Sequence, residues 1–166
     1  MRRRTALIAG ATALLVSAAV PTGATQAAES RVPEGTYQIV SENPEAGHLD
    51  FAPYTIPIWP PIYFVVGSHK QDRKEQWKVT STEGGLYTIN STTHPRASLA
   101  LRGDTIVASE GDRGEFSIER VGHRVFKIRV PDEDRVATLN SAGDEQLHVE
   151  RENGTPSQWW RFERVS

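Results

Sequence analysis

Three stretches of this chain read aromatic, any residue, isoleucine: Tyr37-Gln38-Ile39, Tyr87-Thr88-Ile89 and Phe126-Lys127-Ile128. Three others read aromatic, any residue, then an aliphatic or aromatic side chain: Trp77-Lys78-Val79, Phe116-Ser117-Ile118 and Trp160-Arg161-Phe162. Trp77 precedes Tyr87 by the same interval that separates Phe116 from Phe126, and Leu49 follows Tyr37 as Leu99 follows Tyr87. Matching offsets in independent pairs, at a spacing of about 40–50 residues, mark an internal repeat, and a repeat of that length decides the architecture before any single residue does. The copies run over about 33–80, 83–119 and 122–164. The third is the least regular, with Leu139 one position further from Phe126 than the other two leucines are from their tyrosines.

Each copy divides into four short runs with strand character, bounded by turn residues. They are TYQIVS, HLDFA, IYFVVG and QWKVT in the first and LYTINS, ASLAL, TIVAS and EFSIER in the second. RVFKIRV, RVATL, EQLHVE and WWRFERV make up the third. Alternation puts the repeated aromatic and aliphatic residues on one face, the predicted core. No window carries a helical apolar stripe. Twelve strands in three four-strand repeats predict an all-β fold, a β-trefoil, in which six strands close a barrel and three hairpins cap it, so that few edges stay exposed.

The first 27 residues stand apart. MRRR, an apolar run TALIAGATALLVSAAV and the small residues of PTGATQAA have the layout of a secretory signal peptide cleaved after Ala27. The expectation is a secreted, monomeric domain over 28–166. Without Arg2, Arg3 and Arg4, 16 basic residues face 21 acidic ones, a formal charge of −5. No basic cluster in the sequence suggests nucleic acid, and no segment of the mature chain suggests a membrane span. There is no cysteine, so export brings no disulfide and packing must hold the domain together.

The opening VPEGTYQIVS, the EQWKV that ends the first copy, VPDEDRVATL in the third and PSQWWRF at the end resemble the mushroom-type, cospin-like β-trefoil serine-protease inhibitors over essentially the whole mature chain. Ricin-type lectins share part of the pattern, since their repeats end in a similar Gln-x-Trp. The resemblance implies the trefoil fold and inhibition through a surface loop, which in the family can join the second and third strands of the first repeat.

That connection is unusual here. In the second copy it is RGD and in the third NSAGDE, whereas in the first it is PYTIPIWPPI, residues 53–62, expected to be much the longest of the three and the only apolar one, and rich in proline. Prolines stiffen an extended segment and reduce the entropy it loses on docking, and loops on a rigid scaffold are where binding residues collect. Two readings stand: a reactive loop of Tyr54, Thr55, Ile56, Ile58 and Trp59, or a lid folded back over the barrel end. A proline directly after the cleavage point is a poor substrate, which disfavours Ile56 and Trp59 as the primary contact and leaves Tyr54 before Thr55. Tyrosine there suits a chymotrypsin-like or subtilisin-like protease. Lys70 and Arg73, in the charged segment SHKQDRKE at 68–75, are secondary candidates against a solvated turn. The alternative function is a carbohydrate-binding module with Tyr54 or Trp59 stacked on a sugar.

No catalytic constellation emerges. No serine sits in a nucleophile elbow, no glycine loop cradles a phosphate, and the histidines His48, His69, His94, His123 and His148 are scattered as surface or turn residues without metal-ligand spacing. The expectation is therefore no enzyme, no metal and no cofactor. Arg102-Gly103-Asp104 reads as turn chemistry rather than an integrin ligand.

Overall fold

Where the sequence alternates, strands form. The computed structural model describes residues 31–56, 58–70, 75–143 and 145–165; the expected signal peptide and Arg73 lie outside them. The elements are β1 (Gly35–Ser41), β2 (His48–Ile56), β3 (Ile62–Ser68), β4 (Trp77–Ser81), β5 (Tyr87–Ser91), β6 (Ser98–Arg102), β7 (Thr105–Ser109), β8 (Ser117–Gly122), β9 (Val125–Arg129), β10 (Arg135–Thr138), β11 (His148–Arg151) and β12 (Trp160–Arg164), with a short 3-10 turn at Pro156–Gln158. The described residues are all-β, with twelve strands in one continuous sheet.

Six of these strands form a closed ring. β1 pairs with both β4 and β12, β4 with β5, β8 with β9 and β9 with β12. A single antiparallel bridge, Tyr87 to Phe116, completes the circuit between β5 and the start of β8. The remaining strands pair as β2–β3, β6–β7 and β10–β11. The predicted core residues are all buried: Tyr37, Ile39, Trp77, Val79, Tyr87, Ile89, Phe116, Ile118, Phe126, Ile128, Trp160 and Phe162.

The register recurs in detail. Val40 opposes His48, Asn90 opposes Ser98 and Arg129 opposes Val136. The next residues along are Leu49, Leu99 and Ala137, so Ala137 and not Leu139 takes the place of the two leucines. The hydrogen bonds agree: the Trp77 indole N–H donates to the Leu49 carbonyl at 3.4 Å and the Trp160 indole N–H to the Ala137 carbonyl at 3.1 Å. Phe116 has no ring donor, and the Leu99 carbonyl is met instead by the backbone N–H of Gly114 at 3.0 Å. Each buried carbonyl thus has a partner, as burial demands.

Two residues before each tryptophan a buried polar side chain ties down a neighbouring turn. Gln158 accepts from the Asn153 amide (2.8 Å) and donates to the Arg151 carbonyl (3.0 Å) and the Thr138 hydroxyl (3.2 Å). Glu75 accepts from the Ser91 hydroxyl (2.6 Å), the Thr93 hydroxyl (2.7 Å) and the Thr92 amide (3.2 Å). Glu75 is therefore an anchor and not part of a solvated turn. His48, expected at the surface, is buried in the pairing of β2 with β1 and β3, its Nε2 4.0 Å from Asp50.

Candidate functional site

The segment at 53–62 is not the irregular loop that its prolines suggest. β2 runs on to Ile56, opposite Ile62 at the start of β3, which leaves only 57–61 as the connection. The β10–β11 connection, 139–147, is the longer of the two. Pro53 is tolerated because the register slips between Phe51 and Thr55, where Ala52, Pro53 and Tyr54 face a single position of β3. At such a bulge, on an edge, a missing N–H breaks no ladder bond. Among the described residues, β2 meets β1 only at Val40–His48, so its outer edge beyond that point is unpaired.

The hairpin is pinned on one side and bare on the other. The Glu110 amide donates to the Pro61 carbonyl at 3.1 Å, and Pro60 lies so close to Gly111 that a β-carbon there would come within 2.3 Å of the proline ring. Gly111 is thus a packing requirement, the place where the tip rests on the β7–β8 connection. Beneath it Tyr63 sits 4.3 Å from the His94 ring and 5.4 Å from Phe51, with Phe51 in turn 5.4 Å from Trp77. The Tyr63 hydroxyl donates to Glu110 (3.3 Å), which also pairs with Arg96 (3.3 Å). Burial, reinforced by the charge of Glu110, pushes the Tyr63 phenol up, so it stays protonated as a donor. His94 and Glu110, which anchor the hairpin from below, carry no sequence signal; only contact in space reveals them.

On the outer side Trp59 is 86% exposed, Tyr54 47%, Ile58 44% and Ile56 39%. These are four of the five large apolar residues exposed among the described residues, the other being Val121. Tyr54 leans on Phe64, with ring centroids 5.8 Å apart. Thr55 pairs with Tyr63 within the hairpin. The structure thus brings Tyr54, Thr55, Ile56, Ile58 and Trp59 onto one hairpin and leaves Lys70 beyond the opposite end of β3, exposed, with its amide bonded to the Ser68 hydroxyl at 3.2 Å.

The other motifs resolve into structure. Arg102 pairs with Asp112, Asp104 pairs with Arg135 at 2.7 Å, and Gly103 supplies the positive φ of the turn, 62°. Among the described residues no three His, Asp or Glu side chains gather to hold a metal ion, and no helix is long and apolar enough to cross a membrane.

No protein-family profile and no curated protein sequence matches the chain. Solved structures do. A proteinase inhibitor from Coprinopsis cinerea superposes with a TM-score of 0.67 at 14% identity, over 81% of this chain and all of that one. The ricin B-like lectin of Macrolepiota procera, solved with lactose, gives 0.60 at 20% identity over 82% of this chain and 100% of the lectin. A mosquitocidal holotoxin gives 0.64 at 23% identity over 81% of this chain, which spans only 17% of the toxin. At such identities the likeness is one of fold, and the neighbours are β-trefoils.

Proposed function

We propose that the chain is a secreted, monomeric β-trefoil of three four-strand repeats that inhibits a serine protease stoichiometrically by seating the β2–β3 hairpin in its cleft. The recurring strand pairings support the repeats. One observation carries the function: four large apolar side chains stand in solvent on a single hairpin whose underside is fixed to the barrel. Exposed apolar clusters mark partner surfaces, and a tip held rigid before binding loses little entropy on docking. The open edge of β2 offers backbone donors and acceptors to an extended cleft, as in strand addition. Tyr54, ahead of Thr55, would enter the specificity pocket of a chymotrypsin-like or subtilisin-like enzyme, and Ile56, Ile58 and Trp59 would line the flanks. The protein acts by binding, with no chemistry or cofactor of its own. The fold shared with the Coprinopsis inhibitor is compatible with this reading and does not select it.

The test is titration of chymotrypsin, subtilisin, trypsin and papain with the purified domain. Inhibition of chymotrypsin or subtilisin at one-to-one stoichiometry is expected, with Tyr54→Ala weakening it by about two orders of magnitude, an anchor-residue effect, at unchanged melting temperature. Absence of inhibition across the panel, or indifference to Tyr54→Ala, overturns the reading. A second reading follows from Trp59, whose exposed ring is suited to stack on a sugar, on a fold shared with a lactose-binding lectin. Saturable binding of a saccharide, lost in Trp59→Ala, would select it.

A further inference from the structure

A cavity of about 770 Å³ opens between the segment that leads into β1, the turn joining β8 to β9, and β12. It shares no residue with the β2–β3 hairpin. Among the described residues its walls carry five arginines, Arg31, Arg120, Arg124, Arg161 and Arg164, against one carboxylate, Glu163. In a chain of formal charge −2 such a concentration is local and not a general property of the surface.

The arginines differ in what they already hold. Arg161 is committed to Glu42 at 2.7 Å and Glu163 at 2.9 Å. Arg164 donates to the Glu34 carbonyl at 3.3 Å, a neutral acceptor that fixes the guanidinium without cancelling its charge, and Arg120 donates to the Gly122 carbonyl at 2.9 Å. Arg124 has no hydrogen-bond or ion-pair partner among the described residues, and its backbone sits at φ 58°, in the left-handed region. That conformation belongs to the two-residue turn His123–Arg124 between β8 and β9, and it fixes where the Arg124 side chain leaves the backbone.

The floor is aromatic and preformed. Tyr37 and Phe126 each meet Phe162 edge to face, at 5.8 Å and 5.6 Å. The Tyr37 hydroxyl donates to the Pro33 carbonyl at 2.6 Å, which holds the leading segment in place as a wall. Planar guanidinium groups recognise oxyanions in forked pairs, and an apolar floor of this volume takes a ring-sized body.

We infer that this cavity binds a small amphipathic anion, with a carboxylate or phosphate group on Arg124 and Arg164 and an apolar ring on the Tyr37–Phe162–Phe126 floor. The inference is independent of the hairpin's role.

Calorimetric titration tests it with 1-naphthyl phosphate and 1-naphthoate, which separate the two headgroups, and with 1-naphthol and inorganic phosphate, which carry the ring or the charge alone. At least one of the first pair should saturate at one-to-one stoichiometry, with both comparators about tenfold weaker or more, the loss expected when one charged hydrogen-bonding group goes unmatched. Arg124→Asn keeps a residue that tolerates left-handed backbone, and combined with Arg164→Gln it should cut affinity about tenfold or more while the melting temperature stays put. Absence of saturable binding by both naphthyl anions overturns the proposal. So does 1-naphthol or inorganic phosphate binding as well as they do, or a double variant that folds and binds undiminished.

Discussion

Trp160→Ala is the sharpest test of how a domain without disulfides is held together. Trp160 is fully buried, and its indole N–H supplies the partner of the Ala137 carbonyl at 3.1 Å. Truncating a buried tryptophan costs about 3–5 kcal/mol through lost contacts and the cavity left behind. The orphaned carbonyl adds about 1 kcal/mol or more. A total near 5 kcal/mol is a large share of the roughly 5–15 kcal/mol available to an ordinary domain. In urea, with a slope of about 2 kcal/mol/M, the unfolding midpoint should fall by about 2.5 M. Trp160→Phe separates the two contributions, since it keeps most of the packing and removes the donor, at about 1–3 kcal/mol. Trp77→Phe should cost less, because its indole bond is 3.4 Å long, beyond the usual range. The reasoning fails if Trp160→Ala costs under about 1 kcal/mol, or if Trp77→Phe proves the more damaging of the two phenylalanine variants, when read from the same denaturation curves.

Gly67→Ala should destabilise by about 1–3 kcal/mol or more, because its new carbon would come within 2.2 Å of the Ala46 carbonyl, whereas Gly84→Ala, with nothing within 4 Å, serves as control; thermal unfolding compares them. Gly111→Ala should displace Pro60 and with it the hairpin tip, weakening protease inhibition by about tenfold or more while lowering the melting temperature by only a few degrees. Glu119 and Glu152 form a network with Lys127 and Arg129. Burial would raise Glu119, but Arg129 and Lys127 outweigh it and hold the carboxyl below its ordinary value, as Lys127 and then Arg129 do for Glu152. Their contribution is therefore present above the ordinary carboxylate range and lost as pH falls through the depressed values, so Glu119→Gln with Glu152→Gln should flatten the stability profile below about pH 4.5, measured by denaturation across pH.

Alternation reached the strands and their buried faces because it is a local record of burial: a strand with one face in the core must place an apolar residue at every second position, and Tyr37, Ile39, Trp77 and Phe162 announce their faces without any knowledge of their partners. The apolar character of residues 53–62 was legible in the same way. Pairing was not. Whether Pro53–Ile56 is loop or strand depends on what lies opposite, and the edge position with its slipped register is fixed by β3, not by the prolines. For the same reason Leu139 appeared to match Leu49 by counting, while hydrogen bonding assigns that place to Ala137. Glu75 and His48 look like surface residues in a list of letters and are buried because distant strands bring Ser91, Thr93, Val40 and Ser68 against them. The arginine-walled cavity is the extreme case. Arg31, Arg124 and Arg164 form no cluster along the chain, and only the closure of β12 against β1 and β9 gathers their charges around one aromatic floor, because electrostatic attraction depends on distance through space and not on separation in sequence.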